Sequence, residues 1–252
     1  MTEDLVILPT YNERENIAPL VEAIFTHSPS VHVVIVDDAS PDGTGAVAES
    51  LAKVDARVHI IHRTGKLGLG SAYIAGFRYG LTGPYQYFVH MDADLSHNPR
   101  DIPHLLARAR TGSDLVIGSR LLPDSRREKR RIHRRLLSRI GNLYARGLLD
   151  LHVRDLTTGF RCVRRRVLEA VNLDALHSDG YLFLIQTAYL FSRQGFQLEE
   201  VPIVFVDRRF GKSKFCFKDA AKTIGFVWHL WRDQDSAKSK MARPLRGSGD
   251  GI

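Results

Sequence analysis

Along the first half of the chain, short apolar runs rich in β-branched residues alternate with longer stretches whose apolar positions recur every three or four residues. Leu5-Val6-Ile7-Leu8, Val33-Val34-Ile35-Val36, Val58-His59-Ile60-Ile61 and Tyr87-Phe88-Val89-His90 have strand length, and Leu115-Val116-Ile117-Gly118 repeats the pattern. Between them, residues 17–25, 46–54 and 71–79 carry helical spacing, and Pro99 and Pro103 start a further helix before the fifth strand. Strands separated by helix-length segments predict βαβ units. The expected fold class is therefore α/β, an open, mostly parallel sheet flanked by helices. The later pattern is less regular, with an Arg-rich helix over 132–149, a helix over 181–193 and a strand over 200–206.

Polar clusters follow three of the strands directly: Pro9-Thr10-Tyr11-Asn12-Glu13, Asp37-Asp38-Ala39-Ser40-Pro41-Asp42-Gly43 and Asp92-Ala93-Asp94. Ligands of open α/β sheets collect at the carboxyl ends of strands, so all three clusters are expected to face one crevice. With 44% hydrophobic residues in 252, a sizeable core is available and disorder is not the default. No repeat or linker divides residues 1–230, which read as a single domain with amphipathic helices in its second half. Residues 231–252 read as a basic, disordered tail, since from about Ser236 Lys, Arg, Gly and Ser replace the periodic apolar positions.

Composition narrows the setting. Cys162 and Cys216 are far apart and have no zinc-like spacing, so neither a disulfide scaffold nor a zinc site is expected. Met1 leads into a charged stretch without the parts of a signal peptide, and even the apolar run at 224–231 is too short to span a bilayer. A cytoplasmic protein touching a membrane only peripherally, on its cytoplasmic face, is the expectation. The net charge of +8 favours an anionic partner: a nucleic acid, a lipid surface or a phosphorylated substrate.

Two carboxylates two positions apart after an apolar strand, Asp92 and Asp94, fall on one side of an extended backbone and can reach one cation. Hard oxygen ligands suit Mg2+ or Mn2+, with substrate phosphates completing the shell. A solvated acidic turn is the alternative, weakened by the further carboxylates at the neighbouring strand end. In the turn Ser40-Pro41-Asp42-Gly43, Gly43 is free to take positive φ. The stretch Gly65-Lys66-Leu67-Gly68-Leu69-Gly70 is not a dinucleotide fingerprint, because Tyr73 stands where the third glycine belongs.

Five motifs in order, Pro9–Glu13, Asp37-Asp38-x-Ser40-Pro41-Asp42-Gly43-Thr44, Lys66–Gly70, Met91–His97 and Phe205-Val206-Asp207-Arg208-x-x-Gly211-x-Ser213-Lys214, resemble the dolichol-phosphate (polyprenol-phosphate) mannosyltransferases of glycosyltransferase family 2. The resemblance runs over about residues 4–230 and implies the GT-A nucleotide-sugar-binding fold. It implies an inverting transfer of mannose from GDP-mannose to dolichyl or polyprenyl phosphate, giving a β-mannosyl phospholipid. Pro9, Tyr11, Glu13, Val36 and Asp38 would line the guanosine pocket, with Ala93 beside the nucleotide. Asp92 and Asp94 would hold the metal, with Ser96 standing where the family uses a glutamine contact. Arg120, Arg208 and Lys214 would bind the donor, the last two as cations on the departing diphosphate.

The densest charge run, Arg126 to Arg135, leads into apolar positions Ile132, Leu136, Leu137, Ile140, Leu143, Tyr144 and Leu148 at helical spacing, an amphipathic basic helix. Such a helix can lie on an anionic membrane or offer its arginines to a phosphate. By the resemblance, Arg120, Arg134 and Ser138 bind the acceptor phosphate, and the motif Asp155–Arg161 lies near it; read alone, that motif is equally a turn. Where the family carries a glutamine and then an acidic residue, this chain has Leu184 and Gln186. A phosphate acceptor is already an anion at neutral pH, so loss of that acid is tolerable. UDP-glucose is an alternative donor, and a separate membrane protein is a conceivable anchor. A non-catalytic nucleic-acid binder is disfavoured because the strand-end carboxylates would repel a phosphate backbone.

Overall fold

The computed structural model describes residues 4–127, 132–176, 180–206 and 222–232; the side chains of Arg127 and of residues 132–138 are outside that description. The first half forms β1 (Asp4–Thr10), α1 (Arg14–His27), β2 (His32–Asp37), α2 (Thr44–Val54), β3 (Val58–His62), α3 (Leu69–Leu81) and β4 (Tyr87–His90). After a short 3-10 turn come α4 (Ile102–Arg110), β5 (Leu115–Ser119), β6 (Arg126–Arg127), α5 (Ile132–Leu149), β7 (Arg161–Arg164) and α6 (Arg165–Ala170). Then follow α7 (Tyr181–Arg193), β8 (Leu198–Pro202) and β9 (Val204–Phe205), and residues 222–232 are again helical.

Seven strands make one sheet in the order β3-β2-β1-β4-β7-β5-β8. All its pairings are parallel except those of β7, which runs antiparallel to both β4 and β5. The α/β sheet expected from the periodicity is thus present. The period of two is visible in the packing: Leu5, Ile7, Val34 and Val36 turn to the layer of α3, α5, α6 and α7, while Val6, Leu8, Val33 and Ile35 turn to α1, α2 and α4. Each such fully buried side chain is worth about 1.5–3 kcal/mol. Helix α3 lies unusually close to the sheet. A Cβ at Gly76 would sit 2.4 Å from the Ile7 side chain and one at Gly80 2.3 Å from Phe88, so glycine there sets the approach.

Two features differ from the sequence-based expectation. Strand β7, which the pattern did not reveal, begins with Arg161, and this arginine is itself buried, so the strand shows no apolar start. The strand expected over 200–206 is two strands: β8 pairs with β5, and β9 pairs with β6 in a separate two-stranded sheet. Ile203, between them, donates to Ser119 and accepts from Arg126, which carries the chain from one sheet to the other. The expected tail lies outside the described residues apart from Trp231 and Arg232, which are helical. Cys162 is a free, buried thiol whose pKa burial pushes up, and Cys216 lies outside the described residues. No helix among the described residues is long and apolar enough to cross a membrane.

Candidate active site

The order β2-β1-β4 brings three strand ends together, and the segments leaving them are laced to one another. Thr10 pairs with Asp37, and the Asp38 amide donates to the Thr10 carbonyl. From there the Asn12 amide donates to Ser40 Oγ (3.0 Å), the Glu13 amide to Thr44 Oγ1 (2.9 Å) and the Arg14 amide to Asp42 Oδ2 (3.1 Å). The opening amides of α1 are therefore satisfied by side chains of the next strand end rather than by a local cap. Burial pulls the Asp42 carboxyl upward, but the bonds from Thr44 and Arg14 outweigh it and hold its pKa below the ordinary value. Asn12, Ala39 and Leu95 have φ of 62°, 53° and 62°, and these three left-handed non-glycine residues follow β1, β2 and β4. Backbone strain is thus gathered at the crevice. Gly43, as expected, has positive φ (89°) where it opens α2.

Asp38 organises the glycine-rich segment. Its Oδ1 accepts from Arg63 Nη1 (2.6 Å), and its Oδ2 accepts from the amides of Leu67 (3.0 Å) and Gly68 (3.1 Å). Arg63 continues to Ser71 Oγ at 2.7 Å, so one arginine ties β3 to the start of α3. The Lys66 ammonium then lies 4.1 Å from the centre of the Tyr11 ring.

Beyond β4 the chain leaves the strand at His90 and bends over residues 93–95. The period-two argument for Asp92 and Asp94 therefore does not apply; the bend, closed by the left-handed Leu95, brings them to one turn. Asp94 is buried and its Oδ1 accepts from the Ser96 amide (3.0 Å), while Asp92 is half-buried. The Asp92 amide donates to His97 Nδ1 (3.1 Å), and Asp92 Oδ1 accepts from the Tyr73 hydroxyl (3.3 Å). Burial lowers the His97 pKa, which keeps the imidazole neutral and able to accept, and burial raises the Tyr73 phenol well above its usual range. At Gly159 a Cβ would stand 2.8 Å from Asp92 Oδ1, so the absence of a side chain is what leaves that oxygen its place. Two hard carboxylates held in this cradle suit a divalent cation, although no three His, Cys, Asp or Glu side chains among the described residues form a metal-binding group. Substrate oxygens would have to supply the remaining ligands.

On the other side of the turn, Arg120 and Asp155 form a buried bidentate pair: Nε and Nη2 each reach a carboxylate oxygen at 2.8 Å, and Nη2 also reaches Thr157 Oγ1. Burial opposes the Arg120 charge, and Asp155 more than offsets it. Arg161 is fully buried and donates to the carbonyls of Leu156, Thr158 and Leu184, which locks the 155–160 loop against α7. Burial among these neutral oxygens pulls its pKa down to about 10. Asn142 of α5 accepts from the Leu156 amide (2.7 Å), tying that helix to the same loop.

The family model described as Glycosyl transferase family 2 matches residues 5–171. The chain belongs to glycosyltransferase family 2. It is 47% identical over 211 residues to the polyprenol monophosphomannose synthase of Mycolicibacterium smegmatis, covering 83% of this chain and 80% of that one. It is 46% identical over 210 residues to the undecaprenyl-phosphate mannosyltransferase of Micrococcus luteus, covering 83% and 86%. In fold it is similar to the glucosyl-3-phosphoglycerate synthase of Mycobacterium tuberculosis in complex with Mn2+, UDP and glucosyl-3-phosphoglycerate, with a TM-score of 0.64 at 19% identity over 100% of this chain and 83% of that one.

In this glycosyltransferase Pro9, Tyr11, Glu13 and Asp38 share the crevice rim formed by the ends of β1 and β2. Val36 and Ala93 are buried, with their side chains in the two core layers, so they support the crevice from beneath. Ser96 is buried and works through its backbone, donating to Asp94 and accepting from the Val206 amide at 3.0 Å. Arg134 and Ser138 lie on α5 in the stretch whose side chains are outside the description, and Arg208 and Lys214 lie outside the described residues. Leu184 is buried, and Gln186 donates to the Ala175 carbonyl at 3.4 Å. The sequence motifs singled out neither Arg63 nor Tyr73 as a functional candidate, while Gly159 and Arg161 stood within the motif expected near the acceptor phosphate. Tyr73 had left a signal, as the residue that broke the glycine fingerprint.

Proposed function

We propose that this glycosyltransferase moves mannose from GDP-mannose to the phosphate of a polyprenyl or dolichyl lipid, inverting the sugar to give a β-linked mannosyl phosphate. The likeness to two polyprenyl-phosphate mannose enzymes over four-fifths of the chain supports the sugar and acceptor class. The structural observation that carries the reading is the bond from the Val206 amide to the Ser96 carbonyl, reinforced by a bridge between His97 and Phe205. It anchors the segment leading to Arg208 and Lys214 on the turn that holds Asp92 and Asp94.

In this reading Tyr11, Glu13 and Asp38 hold the guanosine, and Asp92 and Asp94 hold Mg2+ or Mn2+, with Ser96 shaping the turn. The cation would supply charge neutralisation at the donor diphosphate. Arg208 and Lys214 stabilise the departing GDP, while Arg120, Arg134 and Ser138 receive the acceptor phosphate. No protein base is required, because a phosphate monoester with a second pKa near 6 is anionic at neutral pH. Alignment of two anionic substrates is then the main task of the site.

Four of the seven exposed large hydrophobics among the described residues lie on two joined helices: Ile140 and Leu143 on α5, and Ile224 and Trp228 on 222–232. Tyr144 joins them by donating to the Ile224 carbonyl at 3.3 Å. With Arg139, Lys222 and Arg232 exposed around them, this face suits the surface of an anionic membrane, where the lipid acceptor resides. The deciding experiment offers labelled GDP-mannose or UDP-glucose with a polyprenyl phosphate and metal. Mannose is expected in the lipid phase with wild-type protein and none with Asp94→Ala; glucose incorporation, or turnover indifferent to metal, would refute the reading.

A further inference from the structure

We propose that Tyr73 is a positioning residue that, with Gly159, sets the orientation of the Asp92 carboxylate for cation binding. The inference rests on Asp92 and Asp94 being metal ligands.

Tyr73 stands on the inward face of α3 with no exposed surface, its ring 4.3 Å from that of His90 and 5.9 Å from that of Phe183. Packing of this kind would be served by phenylalanine, and a buried hydroxyl costs free energy unless it is bonded. The hydroxyl comes out of the core against Asp92 Oδ1 at 3.3 Å. The Gly159 backbone also closes on the same oxygen, since a Cβ there would be 2.8 Å from Asp92 Oδ1 and 3.1 Å from the Tyr73 hydroxyl. That glycine is itself held, because the neighbouring Thr158 carbonyl accepts from Arg161 Nε at 3.0 Å. With its amide on His97 Nδ1, Asp92 is fixed at its backbone and at one carboxylate oxygen, which leaves Oδ2 for a ligand. A carboxylate fixed in this way loses little freedom when it binds a cation, and removing such an outer partner typically weakens metal affinity about 10–100-fold.

The test is Tyr73→Phe, which keeps the ring. Binding of Mn2+ to the GDP-bound protein is titrated by the electron paramagnetic resonance of free Mn2+, alongside heat unfolding without metal or nucleotide. The expected result is an Mn2+ Kd weaker by about tenfold or more, with an unchanged unfolding temperature. At saturating Mn2+, kcat should recover while the Mn2+ requirement stays raised. A Kd within twofold of wild type would overturn the inference. So would an equal loss of affinity when Tyr73→Phe is added to Asp92→Ala, since the hydroxyl would then act elsewhere. Gly159→Ala provides an independent variant, expected to weaken Mn2+ by crowding the same oxygen; unaltered Mn2+ affinity there would also count against it. Wild-type protein that binds no Mn2+ would instead remove the metal reading beneath it.

Discussion

At the scale of single residues, the crevice is built from charges whose partners are fixed in advance. Arg120 is the clearest case: its guanidinium is 6% exposed and is matched by an Asp155 carboxylate with no exposure. Asp155 also accepts the Arg120 amide and is presented by Glu200, which receives the Asp155 amide at 2.9 Å. Removing one member of a buried pair leaves the other charge uncompensated, at a cost of about 3–5 kcal/mol. Asp155→Ala is expected to lower stability by that order in urea unfolding; a loss below about 1 kcal/mol would mean that water reaches Arg120 and replaces the carboxylate. The sequence displayed Asp155 and Arg120 as members of separate motifs. Their pairing over 35 positions is a property of the fold, since strand β5 delivers one and the loop before β7 the other.

Among the elements, the early strands and helices were legible because their residues obey one period. Strand β4 is Tyr87–His90 and α7 is Tyr181–Arg193, with the bounds the pattern predicts. Strand β7 escaped because its inward arginine is bonded to carbonyls and so breaks the alternation on which such a reading depends. At the amino ends of β2 and β3 a different contact joins neighbours: His32 Nδ1 lies 3.1 Å from His59 Nε2 and 3.0 Å from the Tyr85 hydroxyl. Burial lowers both imidazole pKa values, aided by Arg57 for His32 and by His32 for His59. Below pH 6.5 the unfolded chain therefore takes up protons that the folded chain resists. Stability from this pair is complete above pH 6.5 and is lost as pH falls toward the lowered folded values. The urea midpoint should fall between pH 7.5 and 5.5, and by less in His59→Gln; an equal fall in that variant would assign the effect to other groups.

For the whole molecule, the net charge of +8 and the apolar face shared by α5 and residues 222–232 act together. Sedimentation with anionic phospholipid vesicles is expected to capture the protein. Leu143→Ser with Trp228→Ser should reduce the bound fraction at low and high salt, while transfer to a short water-soluble prenyl phosphate is kept. Unchanged vesicle binding in that variant would place the contact elsewhere. The sequence by itself determined the α/β class, the three polar clusters at strand ends and the paired carboxylates, because hydrophobic period and local turn chemistry are written within a few neighbouring residues. Only the tertiary structure decided that Asp38 braces the glycine-rich segment and that Tyr73 and Gly159 meet at one carboxylate oxygen of Asp92. Those contacts join residues dozens of positions apart, and their distances follow from how α3 and the loop before β7 pack on the sheet.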